Sequence, residues 1–64
     1  MRTKELLTHP SFSKLQVDGE TVARINKMED GTWAMSAGSF YEIGTFEVAS
    51  NWIIAQSLAV AFSA

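Results

Sequence analysis

From Val48 to Ala64 the chain has no charged residue, no glycine and no proline. Alanine, leucine, isoleucine and glutamine fill most of this run, and such residues predict a helix of about four to five turns. Glu47, just before it, suits the positive end of the helix dipole. A helix lying on a domain surface needs one apolar stripe and one solvated face, and this segment lacks the second. At about 100° per residue, Val48, Trp52, Ala55, Leu58, Ala59 and Phe62 form a broad stripe that Ile54 and Ala61 widen. Ala49, Ile53 and Val60 form another on a different side. Ser50, Asn51, Gln56, Ser57 and Ser63 are polar but uncharged and make no continuous face.

The helix therefore calls for more cover than one sheet provides. With the broad stripe on the sheet, Ile53, Ile54 and Val60 are the expected self-association surface, and Ala55, Ala59 and Ser63 allow close helix approach. Burying Ile53 and Val60 in this way contributes about 1.5–3 kcal/mol each. Two other readings stand beside this one: a monomer that tolerates exposed apolar side chains, and a membrane span. The second is disfavoured, because spanning takes about 20 apolar residues and five polar residues interrupt this shorter run.

At 64 residues the chain is one domain. A domain this small is marginally stable and usually recovers stability through disulfides, metal or association. The absence of cysteine removes disulfides and thiolate metal sites, which leaves association. A hydrophobic share of 47% argues against disorder. The net charge of −2 gives no basic excess for phosphate binding. The N-terminal residues lack a signal-peptide apolar region, and with the lack of cysteine this points to a cytoplasmic protein.

Ahead of the helix, residues 1–10 read as an arm or short helix stopped by Pro10. Residues 12–46 read as antiparallel sheet, and 48–64 as the helix. Asp-Gly occurs twice between β-rich runs, in Val17-Asp18-Gly19 and Glu29-Asp30-Gly31, and each pair signals a hairpin. A three-residue loop at Glu29-Asp30-Gly31 places Lys27 opposite Trp33, Ile25 opposite Met35 and Ala23 opposite Ala37. That register gathers Ala23, Ile25, Trp33, Met35 and Ala37 on one face and leaves Arg24, Asn26, Thr32, Ala34 and Ser36 on the other. The same loop at Val17-Asp18-Gly19 puts Leu15 beside Thr21. For the strand in Phe40–Phe46 the register stays open, with Tyr41 and Ile43 on one side and Phe40 and Phe46 on the other. The expected class is α+β: a three- or four-stranded antiparallel meander followed by one apolar helix.

Signs of chemistry are sparse. His9 is the only histidine and reads as a cap or turn residue before Pro10. There is no nucleophile elbow and no phosphate-binding glycine motif. Asp18 and Asp30 are explained by turn chemistry. No catalytic residue, cofactor or metal is expected. Trp33 and Trp52 read as core. Lys14, Arg24 and Lys27, near Tyr41 or Phe40, offer a thin oligonucleotide-stacking surface, for which solvated strand charges over core aromatics are the favoured alternative.

The functional expectation is a non-catalytic protein-interaction module acting as a homo-oligomer. Arg24, Tyr41 and Glu42 are the candidate partner contacts. The Asp-Gly hairpins at Val17-Asp18-Gly19 and Glu29-Asp30-Gly31, then Gly31-Thr32-Trp33 leading to an alanine-rich closing helix, resemble the layout of small phage-encoded anti-defence proteins, including anti-CRISPR inhibitors. That resemblance covers the whole layout and rests on no diagnostic motif. It implies an inhibitor that blocks a bacterial immune protein of nuclease or helicase type, inside the bacterial host. A single-stranded nucleic-acid-binding accessory protein and a structural subunit of a larger assembly are the alternatives.

Overall fold

The computed structural model describes residues 3–63, and the side chains of residues 3–59. Five strands, β1 (Lys4–His9), β2 (Phe12–Val17), β3 (Glu20–Lys27), β4 (Trp33–Ala37) and β5 (Phe40–Gly44), form an antiparallel meander in chain order. The helix α1 (Phe46–Ser63) follows and packs across β1 to β4. The α+β class is as expected, with one strand more. That strand is β1, where the sequence pointed to an arm or helix. Lys4 to His9 pairs along all of β2, and Leu6 and Leu7 point to opposite faces, as strand alternation requires. Asp18 fixes its start: its Oδ1 accepts from the Thr3 N–H at 2.8 Å, while the Asp18 N–H donates to the Thr3 carbonyl at 2.9 Å.

The two Asp-Gly turns differ. Gly31 has φ +89°, Met28 N–H donates to the Thr32 carbonyl at 2.7 Å, and Lys27 faces Trp33, so the three-residue loop forms as expected. At the other turn both Asp18 (φ +53°) and Gly19 (φ +84°) are left-handed. This is the pattern of a two-residue type I′ turn, and Val17 therefore faces Glu20. Left alone, that register would set Leu15 opposite Val22 and turn Ala23 and Ile25 outward. A bulge after Leu15 restores the phase and pairs Leu15 with Ala23 rather than Thr21.

Leu15, Ala23, Ile25, Trp33 and Met35 meet Ala49 and Ile53 of α1 in the core, with Leu6, Ala37 and Trp52 at its margin. This corrects the assignment of the helix faces. Ile53 is 2% exposed and belongs to the sheet-side stripe, not to a free surface. Small Ala49 lets the helix approach closely, Ile53 one turn later fills the gap, and bulky Trp52 is displaced to the flank. There it stacks on Phe40 at 5.4 Å between ring centroids.

The helix begins two residues earlier than the charge pattern suggested. Thr45 caps it: its Oγ1 accepts from the Val48 N–H at 3.2 Å. Phe46, expected at the end of the last strand, lies in the first turn against Trp33. Gly44 lets the chain turn back over β5, since a Cβ there would lie 3.1 Å from the Met35 methyl.

Candidate functional surfaces

With α1 on one face of the sheet, two surfaces face solvent. The first is the far side of the helix. Leu58, Val48 and Ile54 are 58, 54 and 46% exposed, and Ala55 and Ala59 beside them are exposed too. Ile54 is therefore where a self-association residue was expected, Ile53 is in the core, and the Val60 side chain lies outside the described residues. Val48 and Leu58, assigned to the sheet side by sequence, take the solvent side instead. The two stripes have similar apolar content, so hydropathy does not rank them.

The second surface is the open face of the sheet. Directly paired residues of adjacent strands share a face, and the register draws two rows across it. Leu7, Lys14, Arg24, Ser36 and Tyr41 form one; His9, Phe12, Asn26, Ala34 and Ile43 form the other. The His9 and Phe12 rings stack at 4.6 Å and 16°. Tyr41 is 62% exposed. Arg24 borders two shallow depressions, one lined by Ser11, Phe12, Lys14 and Asn26, the other by Thr21, Val22, Ser36 and Gly38 among others. Lys14 stands directly opposite Arg24, and among the described residues neither has a carboxylate within ion-pair distance.

Of the residues singled out from sequence, Arg24 and Tyr41 thus share one row. Glu42 does not join them: it pairs with Met35 on the helix side, at the exposed edge β5. Lys27 leaves the cationic group as well, because its partner Trp33 points to the core. Phe12 was overlooked, although its place two residues before Lys14 puts both on one face of β2.

An apolar cleft between α1 and the β1–β2 end, lined by Leu6, Ile25, Phe46, Ile53 and Ile54 with His9, Ser13 and Ser50, is the third concavity of note. Among the described residues no buried side-chain polar atom lacks a hydrogen-bond partner, and no three acidic or histidine side chains gather as a metal site would require. No helix among them is long and apolar enough to cross a membrane. Comparison with protein-family models, with curated proteins and with solved structures gives no match to this chain.

Proposed function

We propose that this protein is a non-catalytic interaction module that works as a homo-oligomer, joined through the solvent side of α1. The observation that supports this is the exposed stripe of Val48, Ile54 and Leu58 on a helix with no charge after Glu47. Exposed apolar patches of this kind mark interaction sites. A second copy is the favoured occupant: beyond Glu47 in the first turn the stripe carries no charge to repel an identical one, and Ala55 and Ala59 allow two helices to approach closely. Two copies of a small domain also share a larger core than either has alone.

The experiment is absolute mass by light scattering over a micromolar concentration series. The wild-type chain is expected at twice its 7.0 kDa or above. Leu58→Glu is expected to return it to monomer with the circular dichroism spectrum unchanged. A wild-type monomer throughout the series overturns the reading. Once an oligomer is in hand, the resemblance of the layout to small phage-encoded inhibitors makes a bacterial immune nuclease or helicase the first target class to test for inhibition.

A further inference from the structure

The open face of the sheet is outside the self-association reading, and its chemistry is different. Two cations face each other across β2 and β3. Directly opposed like charges destabilise a sheet, and among the described residues no carboxylate lies within ion-pair distance of either. The chain as a whole is acidic, yet all but one of its carboxylates lie off this face. Asp18, Glu29 and Asp30 lie in or beside the turns, Glu20 and Glu42 pair with helix-side residues, and Glu47 is in α1. Glu5, opposite Gln16 on β1, is the one acidic residue with a strand position on the open face. The strands thus set Lys14 and Arg24 side by side on a face with a single carboxylate position, a cation pair that an anion would complete.

The neighbours of that pair indicate which anion. Strands lie about 4.8 Å apart, so Ser36 sits one strand from Arg24, and Tyr41 sits two strands away, in the same row. The sequence phosphate-binding cation, hydroxyl, exposed ring is spaced like phosphate, sugar and base in one nucleotide. A second ring system, Phe12 stacked on His9, flanks Lys14 in the adjacent row. Aromatic rings beside a cationic track are how sheets hold unpaired bases, and a hydroxyl over the sugar can exchange a hydrogen bond with a ribose 2′-OH. We infer that the open sheet face binds single-stranded RNA, with Lys14 and Arg24 on phosphate, Ser36 at the ribose, and Tyr41 and Phe12 stacking on bases.

The test is fluorescence anisotropy of a labelled short oligouridylate titrated with the full chain at several salt concentrations. Two phosphate contacts on a single strand predict a slope of log K against log salt of about −1.4, and Arg24→Ala should reduce it to about −0.7. Tyr41→Ala should weaken binding by about tenfold at every salt concentration. Lys27→Ala, a change of equal charge on the helix side, should leave the slope unchanged. Stronger binding of oligouridylate than of the matching oligodeoxythymidylate supports the ribose contact, and loss of that preference in Ser36→Ala supports its assignment. No binding at low salt, or equal losses from Lys27→Ala and Arg24→Ala, overturns the proposal. Equal affinity for the DNA overturns the RNA assignment, and displacement by polyglutamate at equal charge concentration shows a surface for acidic protein instead. Leu58→Glu leaves this face intact, so RNA binding by that variant separates this proposal from the oligomer.

Discussion

The outward side of α1 and the outward side of the sheet are both uncovered, and they are opposites in chemistry. The helix side is largely apolar, with Val48, Ile54 and Leu58 in solvent and no charge on α1 after Glu47. The sheet side sets Lys14 against Arg24 among rings and hydroxyls. A small domain has two ways of leaving a surface unfinished: apolar area awaiting burial, or charge awaiting compensation. The first gains from an identical surface. The second is repelled by one, because two copies would bring four cations together. The difference is why the two faces are proposed to take different occupants.

The largest expected effect tests which side of the helix belongs to the core. Ile53→Glu puts a carboxylate among Leu15, Ile25, Trp33 and Met35. An uncompensated buried charge costs about 3–5 kcal/mol, a large part of the stability of a domain this size. Chemical denaturation and amide dispersion should therefore show Ile53→Glu unfolded or nearly so. Leu58→Glu should denature within about 0.5 kcal/mol of the wild-type monomer. If the two variants behaved alike, the distinction between the two helix sides would be lost.

Thr45→Ala comes next. Removing the cap on the Val48 N–H should cost about 1 kcal/mol, seen as a lower denaturation midpoint with an unchanged slope. Neither surface includes Thr45, so mass and RNA affinity of the folded variant should match wild type. A change in either would mean that the cap also positions that surface.

A smaller effect of opposite sign is expected from Lys14→Gln. Relieving the cross-strand repulsion with Arg24 should stabilise the fold by about 0.2–1 kcal/mol, most at low salt because exposed charges are screened. Thermal melts at low and high salt check it. Loss of RNA affinity together with a gain in stability is the signature of a functional cation, whereas a solvated strand charge would change stability alone.

The sequence made some of this legible and left other parts open. The strand boundaries around Glu29-Asp30-Gly31 followed from matching apolar residues across the hairpin, because only one loop length aligned Ile25 with Met35. Val17-Asp18-Gly19 defeated the same reasoning. A two-residue turn with a bulge and a three-residue turn without one give Leu15 the same inward direction, and the apolar pattern reports direction only. Strand β1 was hidden because Leu6 and Leu7 are adjacent rather than alternating, and because the Asp18–Thr3 contacts that start it are long-range. The helix faces were exchanged because packing depth was decided by side-chain size at Ala49 and Trp52. Lys14 and Arg24 were recognised as cations, but their pairing depended on the hairpin whose register was wrong by two residues.

The smallest effect concerns the second turn, outside the residues assigned to either surface. Asp30 Oδ1 accepts from the Thr32 hydroxyl at 2.6 Å and from the Thr32 N–H at 3.0 Å. The side-chain bond first, then the backbone bond, holds the Asp30 carboxyl below its ordinary value. A carboxylate whose pKa is depressed by folding adds stability that is fully present above the unfolded value of about 3.9. That stability is lost as pH falls through the lower folded value. Thr32→Val removes the larger cause, so the Asp30 carboxyl resonance should titrate at higher pH in that variant than in wild type. The stability gap between the two should narrow as pH falls through this window, while oligomer mass and RNA affinity at neutral pH stay unchanged. A gap constant with pH would mean that Thr32 acts through packing alone, and a change in RNA affinity would extend the proposed binding face to the turn.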